Sequence, residues 1–470
     1  MVTSFLFFLG LFLLVGISSA LKSRHTKQDY YLASSGVHPV LVGLSAVATN
    51  NSGYMFIGVI GYTYTTGLAA VWLMVGWILG DVLVSGVVHR KLRQATEKTG
   101  QVSYPGVLSH WTGHRYVVLQ RLIALIALVF LMAYAGAQLV AGSKALEVLL
   151  GWPSYWGALG GAALVVSYCL AGGIRASIWT DAAQSVVMMG AMLVLLWTAV
   201  AHLGGPNTTV EAMYLFDGFM DPFPKDVLVP GLLGGLLFAV SWGFAGLSVI
   251  GQPHVMVRFM ALDNPANMRQ ARVWYYLWFT LFYAMATAVG MLSRVYFGDS
   301  GQFDAEVALP LMAQGLLNPI GVGLVLAGIF AATMSTADSL VLSCSAAITH
   351  DLLPHKIEST CVIKTFTLLV TVGALCWALF NQESVFSLVL LAWSGLASAF
   401  APLLIVLCLG HRPSQVESIV AVMGGLCAAL LWRYFGWQAY VYEGMAGILV
   451  GLGLLAIPCL LVSSRHQESA

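Results

Sequence analysis

Charged residues are scarce in this chain of 470 residues, and their scarcity excludes a large class of proteins. Asp, Glu, Lys and Arg make up 9% of the sequence, whereas hydrophobic residues make up 59%. A soluble domain carries about 25% charged residues, so most of this chain must face lipid or pack inside a membrane bundle. The formal net charge is +1, which gives no reason to expect a nucleic-acid partner.

The sequence also lacks the patterns of a reactive site. The seven cysteines do not have metal-ligand spacing, the eleven histidines fall at predicted helix ends or in loops, and no Gly-x4-Gly-Lys phosphate loop occurs. A nucleophile with its base is not apparent either. The sequence therefore does not favour an enzyme, and we expect no catalytic residue.

Apolar runs of about 20 residues, the length of a membrane-spanning helix, are abundant. We predict thirteen spans, at residues 2–20, 38–62, 68–88, 117–141, 155–174, 177–203, 230–251, 273–297, 320–349, 362–380, 384–409, 416–435 and 444–463. No hydrophilic stretch between them is long enough for a soluble domain. Residues 1–470 are thus predicted to form one all-α integral membrane domain.

The positions of Lys and Arg predict the orientation of the chain. Of the 21 basic residues, Lys144, Lys225, Arg294 and Arg433 fall on one side of the predicted spans, and the other seventeen, Arg258 among them, fall on the opposite side. Basic loops of membrane proteins remain in the cytoplasm. We therefore expect a multi-pass protein of the cell (inner) membrane, with its N-terminus outside and its C-terminus in the cytoplasm.

Two predicted spans contain residues that sustain a lipid-facing helix poorly. The second span contains residues 48–54, Ala-Thr-Asn-Asn-Ser-Gly-Tyr, and the seventh contains residues 241–248, Ser-Trp-Gly-Phe-Ala-Gly-Leu-Ser. The two runs are five spans apart, and an odd offset inverts topology. Residues 38–203 and 230–409 are therefore predicted to be inverted five-helix repeats. In transporters, such breaks expose carbonyls and helix ends near the middle of the bilayer.

The ninth span carries hydroxyls and a carboxylate where a lipid-facing helix would be apolar. Residues 331–352 include Ser335, Thr336, Asp338 and Ser339. A lone hydroxyl in a membrane helix usually bonds its own i−4 carbonyl or joins two helices. Several hydroxyls together with a carboxylate instead indicate a functional site that suits a cation.

Five stretches of the predicted core carry a family resemblance. They are residues 45–53, residues 170–181 with Gln184, residues 251–254 with 257–260, residues 331–352, and residues 392–395 with Ala399, Phe400 and Pro402. In this order they resemble the sodium:solute symporter family, most closely its sodium/proline branch. The resemblance implies the five-plus-five fold of the leucine transporter, with residues 2–20 as an extra helix before it and residues 416–463 as two helices after it.

The resemblance also implies a sodium site between the second and ninth spans. Carried over by position, its ligands are the backbone carbonyls of Ala48, Asn51 and Ala332 and the hydroxyls of Ser335 and Thr336. Such hard, neutral oxygens suit a small monovalent cation that must be released again. Sodium is the expected coupling ion, and no cofactor is implied.

Three roles remain open for Asp181 in the sixth span. It either pairs with Arg175, binds a second cation together with Asp338 and Ser339, or shares one proton with Asp338. The sodium count is open for the same reason.

The expected solute pocket combines amide, hydroxyl and aromatic side chains, namely Asn50, Ser52, Tyr54, Tyr134, Gln138, Trp242, Phe244, Trp393 and Ser394. Such groups bind a carboxylate or amine and enclose a small apolar body. Proline-type members commonly have Asp-Met where this chain has Asn50 and Asn51. The neutral amide at this position is expected either to weaken sodium binding or to contact the solute.

Together these features predict a sodium-coupled symporter that imports a small organic solute by alternating access. A zwitterionic amino acid such as proline fits best, because no Lys or Arg is expected in the pocket. The expected partners are the solute, sodium and membrane lipid. Two alternatives are a proton-coupled symporter and a membrane sensor that binds a solute without moving it.

Overall fold

The computed structural model describes residues 1–298, 303–353, 357–380 and 384–467, with side chains up to residue 457. Over these residues the chain is helical, and its one β pairing is an isolated bridge between Val37 and Leu262. Ten helical stretches are long and apolar enough to cross a membrane. The predictions of an all-α fold and of several membrane crossings are therefore confirmed.

The α-helices are α1 Val2–Ser18, α2 Lys27–Leu32, α3 Pro39–Tyr54, α4 Ile60–Thr66, α5 Val71–Thr99, α6 Tyr104–His110, α7 Val117–Leu150, α8 Ser154–His202, α9 Pro206–Met213, α10 Leu232–Leu247, α11 Pro253–Met260, α12 Met268–Phe297, α13 Ala308–Leu316, α14 Pro319–Ala346, α15 Thr360–Phe380, α16 Val385–Cys408, α17 Gln415–Tyr434 and α18 Glu443–Gln467. The extra N-terminal helix packs on this bundle, with the ring of Phe5 lying 5.1 Å from that of Phe330 in α14.

Two of the apolar stretches are too long for a single crossing. Residues 39–99 comprise 61 residues and residues 154–202 comprise 49, whereas about 20 residues suffice. Gly67, with φ of 72°, lies between the second and third predicted spans, and Gly173, with φ of 56°, lies inside the fifth predicted span, next to its end. At Gly173 an added Cβ would lie 2.4 Å from the Tyr30 carbonyl oxygen, so only glycine fits. The total of thirteen spans and the repeat boundaries remain predictions.

The predicted break in the second span lies inside α3. Ser52 has φ 49° and ψ −179°, outside the helical region, and a π-helical turn over Met55–Val59 precedes α4. A serine at positive φ is strained and persists only where its surroundings hold it. The helix therefore changes direction beside Asn50 and Asn51.

The break in the seventh span comes later than predicted. Residues 241–247 belong to regular helix α10, and the chain leaves the helix through a 3₁₀ turn, Ser248–Gly251, and an extended Gln252. Pro253, at the start of α11, has no N–H to give and disfavours helix at the residue before it. Proline, not the glycines of residues 241–248, sets the position of this break.

Helices α5 and α10 approach to backbone contact. An added Cβ at Gly246 of α10 would lie 2.1 Å from the Trp77 carbonyl oxygen, and one at Gly80 of α5 would lie 1.9 Å from the Gly243 carbonyl oxygen. Small residues at such crossings allow membrane helices to pack closely. The contact fixes the part of α5 that carries Trp77.

Replacing Gly246 by alanine is expected to destabilise the protein by about 1–3 kcal/mol, because the methyl group must push two backbones apart. The apparent Tm of the purified protein in detergent measures the effect. Gly243→Ala is the matched control in the same helix, since its Cβ would meet nothing within 4 Å. Equal Tm values for the two variants would contradict the proposed contact.

Candidate ion and solute site

Backbone and hydroxyl oxygens of α3 and α14 meet where α3 begins to unwind. The Ser335 hydroxyl donates to the carbonyls of Ala48, at 3.2 Å, and Ala332, at 3.1 Å. The Thr336 hydroxyl lies 3.2 Å from the same Ala332 carbonyl. The structure thus brings together four of the five sequence-predicted sodium ligands, all in residues with no exposed surface. Oxygen atoms in this arrangement suit Na⁺.

The fifth predicted ligand, Asn51, is engaged elsewhere. Its carbonyl accepts the backbone N–H of Met55. The carbonyl that approaches α14 beside Ala48 is that of Thr49, which accepts from the Thr336 hydroxyl at 3.0 Å. In this conformation Thr49 is therefore the better candidate for the remaining oxygen.

A fully buried arginine lies beside this oxygen cluster. Arg258 in α11 has no exposed surface, and its guanidinium lies 3.4 Å from the Asp181 carboxylate and 3.5 Å from the Asp338 carboxylate. It also donates to Ser177 at 2.5 Å and to Ser339. We call these five residues the Arg258 cluster. The sequence placed Arg258 among the basic residues of the cytoplasmic side, and in the structure its two carboxylate partners hold it buried inside the bundle.

The structure excludes one of the three roles left open for Asp181. Arg175 pairs with Asp29 in α2 at 2.5 Å, so the alternative of an Asp181–Arg175 pair was wrong. The positive charge that lies between Asp181 and Asp338 in the structure is the guanidinium of Arg258. Two ionised carboxylates and one guanidinium leave one negative charge, which a buried site must neutralise with a cation or a proton.

Thr49 connects the oxygen cluster and the Arg258 cluster. Its carbonyl accepts from Thr336, while its hydroxyl lies 3.2 Å from Ser339 Oγ and 3.5 Å from the Asp181 carboxylate. The residual negative charge of the Arg258 cluster therefore lies next to the predicted sodium ligands, with Thr49 between the two groups. At such distances in a low-dielectric interior, a negative charge favours cation binding.

A small cavity lies on the other side of the α3 break. It is closed in this conformation, too narrow for a water molecule, and is lined by Asn50, Asn51, Tyr54, Met55, Trp77, Phe279 and Tyr283. Five of these side chains bury a polar atom that has no hydrogen-bond partner among the described residues: Asn50 Oδ1, Asn51 Nδ2, Tyr54 Oη, Trp77 Nε1 and Tyr283 Oη. Buried polar groups are otherwise nearly always paired. Unpaired groups gathered around a cavity indicate a polar ligand.

Aromatic rings extend from this cavity towards α7. The Trp77 ring lies 5.8 Å from Tyr54 and 5.0 Å from Trp393, and His254 lies 6.2 Å from Trp393 and 5.4 Å from Tyr134. Gln138 accepts the Gly53 N–H at 2.9 Å. Predicted pocket residues Asn50, Tyr54, Tyr134, Gln138 and Trp393 are therefore brought together, and Ser52 accepts the Tyr54 N–H between them.

Three predicted pocket residues lie apart from this cavity. Trp242 packs between Phe238 and Tyr442, and Phe244 is only half-buried. Ser394 donates to Glu443 at 3.0 Å, facing α18. Trp242 and Phe244 both belong to the regular part of helix α10, before the chain leaves the helix at Ser248.

Sequence reasoning missed Trp77, Asp81, Tyr275 and Tyr283. Asp81 was detectable, because a carboxylate within a predicted apolar span is a functional candidate by itself. The tyrosines and Trp77 gave no separate signal, since aromatic residues in membrane helices are usually packing or interfacial residues. His254 and Arg258 stand in a stretch that carried the resemblance but were not assigned to the site.

Comparisons with known proteins show what the chain as a whole is similar to. The profile of the sodium:solute symporter family matches residues 30–425. The high-affinity proline transporter PutP of Bacillus subtilis (strain 168) is 29% identical over 458 residues, which are 95% of this chain and 95% of that protein. The sodium/proline symporter of Escherichia coli (strain K12) is 29% identical over 459 residues, 94% of this chain and 89% of that protein.

Solved structures share the fold. A Na⁺-coupled sialic acid symporter, described as revealing a novel Na⁺ site, superposes with a TM-score of 0.80 at 18% identity, covering 97% of each chain. The nucleobase-cation-symport-1 transporter Mhp1, in a closed conformation with bromovinylhydantoin, gives a TM-score of 0.61 at 16% identity, covering 93% of this chain and 95% of that one. These neighbours have the leucine-transporter fold, as predicted.

Proposed function

The chain belongs to the sodium:solute symporter family, and we propose that it imports a small zwitterionic amino acid, of the size of proline, together with one sodium ion. Na⁺ binds to the oxygens of Ala48, Thr49, Ala332, Ser335 and Thr336, and the solute binds in the cavity beside the α3 break. The proline transport named for two similar bacterial proteins supports the choice of solute. The N-terminus lies outside, since most basic loops then face the cytoplasm.

One observation carries the proposal of sodium coupling. Ser335 and Thr336, on α14, donate across to carbonyls of α3 at 3.2 Å and 3.0 Å, directly before the residues that line the solute cavity. A cation bound by the two hydroxyl oxygens and the α3 carbonyls, in place of these hydrogen bonds, would tie α14 to the unwound end of α3. Solute and sodium then stabilise the same arrangement, and each raises the affinity for the other by the same factor.

The charges of Arg258, Asp181 and Asp338 support the transport of one sodium ion with each solute molecule. Arg258 compensates one of the two carboxylates, and Na⁺ at the neighbouring oxygen cluster compensates the other. Arg258 therefore stands where a second metal cation would otherwise bind, between Asp181 and Asp338. Alternating access then carries one net positive charge inward with a zwitterion. The membrane potential contributes about 2.3 kcal/mol per charge per 100 mV to accumulation.

Uptake of radiolabelled L-proline into proteoliposomes, with sodium and proton gradients imposed separately, tests the function. We expect accumulation with an inward sodium gradient and none with a proton gradient alone. Accumulation driven by protons would support proton coupling, for which the Arg258 cluster would be the proton site. Sodium-dependent thermal stabilisation by L-proline without uptake would support a solute sensor.

A further inference from the structure

A buried carboxylate on α5 lies behind the solute cavity and outside the ion cluster. Asp81 has no exposed surface and accepts a hydrogen bond from the Tyr275 hydroxyl at 2.8 Å. Its second oxygen has no hydrogen-bond partner among the described residues. The Tyr276 hydroxyl and the more distant Arg272 guanidinium also interact with this carboxyl group. A fully buried carboxyl group with one unpaired oxygen is costly and indicates a functional role.

Tyr275 transmits the charge of Asp81 to the cavity wall. A tyrosine hydroxyl has one proton, and an ionised carboxylate can only accept. Because Tyr275 gives its proton to Asp81, its oxygen must accept from Asn50, which it does at 2.6 Å from Asn50 Nδ2. The amide orientation of Asn50 is thereby determined. Its nitrogen faces Tyr275, and its unpaired oxygen, Oδ1, remains for the cavity.

Three of the five unpaired cavity groups can each only accept or only donate a hydrogen bond. Asn50 Oδ1 can only accept, whereas Asn51 Nδ2 and Trp77 Nε1 can only donate. An accepting oxygen backed by a carboxylate and bordered by aromatic faces suits a protonated amine. The two donors suit a carboxylate at the other end of the same molecule.

We propose that Asp81, acting through Tyr275 and Asn50, determines the specificity of the transporter for solutes with a primary or secondary ammonium group. This inference rests on the proposed solute uptake and extends it to the chemistry of the substrate. Asp81 is a positioning residue, since the chain of contacts places Asn50 between it and the solute. Loss of Asp81 should therefore impair recognition of the amine and leave sodium binding unchanged.

The test compares three probes of similar shape in proteoliposomes under a sodium gradient. L-proline has N–H donors, N,N-dimethylproline has a positive nitrogen without an N–H, and cyclopentanecarboxylate has no nitrogen. Wild-type protein should select L-proline over both other probes. Asp81→Asn and Tyr275→Phe should each raise the KM for L-proline by about 10–100-fold with a smaller effect on kcat, and the double variant should add little.

Gln94→Ala is the matched control, because Gln94 lies further along α5 and is exposed. It should retain wild-type selectivity. Tyr275→Phe keeps the test valid if Asp81→Asn does not fold. The inference would be overturned, with symport intact, if Asp81→Asn and Tyr275→Phe both kept wild-type selectivity. Efficient uptake of cyclopentanecarboxylate by the wild type would overturn it as well. Uptake of none of the probes would contradict the proposed function and this inference together.

Discussion

Replacing Ser335 and Thr336 together by alanine is expected to abolish sodium-driven solute accumulation. Both hydroxyls face the Ala332 carbonyl, and each also reaches an α3 carbonyl, so the double variant removes two of the proposed ligands. We expect sodium affinity to fall by at least about 100-fold. The concentration of Na⁺ that gives half-maximal uptake of L-proline measures this loss.

A control on the same helix separates ligand loss from unfolding. Ser343 also lies on α14 but is only half-buried, and Ser343→Ala should retain wild-type sodium dependence. Both variants should elute as monodisperse protein in detergent. A Ser335→Ala, Thr336→Ala protein with unchanged sodium dependence would exclude the proposed ligand set.

Replacing Arg258 by glutamine is expected to change the number of cations bound. The guanidinium lies within 3.5 Å of two fully buried carboxylates, and removal of one partner of a buried ion pair costs about 3–5 kcal/mol unless another charge replaces it. A second Na⁺, or a proton, must then enter. The Hill coefficient for sodium should rise from about 1 towards 2 at high pH, where protons are scarce.

A second substitution makes this prediction specific. In Arg258→Gln with Asp338→Asn, one positive and one negative charge are removed together, so the cluster regains its original net charge. The Hill coefficient should return to about 1. A value of about 1 with unchanged sodium affinity in Arg258→Gln alone would show that the guanidinium does not replace a cation. Flux ratios of ²²Na⁺ to L-proline provide an independent count.

Local sequence patterns predicted the parts of the site that depend on neighbouring residues. Ser335 and Thr336 are adjacent hydroxyls one turn after Ala332, so their convergence follows from helix geometry. The break in α3 was predicted from a run of residues that support a helix poorly, and Ser52 lies within that run. These features required no knowledge of the other helices.

Features that depend on contacts between distant segments were not predictable in this way. Arg258 is followed by a loop in the sequence, and only packing of α11 against α8 and α14 brings it between Asp181 and Asp338. Asn51 was carried over from the family resemblance by position, whereas in the structure its carbonyl accepts the Met55 N–H within the helical chain. Likewise, the pairing of Asn50 with Tyr275 joins residues 225 positions apart.

The backbone contact between α5 and α10 has a consequence for the transport cycle. Two helices that touch through Gly80 and Gly246 cannot slide past each other, because any shift would drive side chains into the opposing main chain. Helices α5 and α10 must therefore move together as one rigid unit. Whatever displaces α10 during the cycle therefore also displaces Trp77 and Asp81, and with Trp77 one side of the proposed solute cavity.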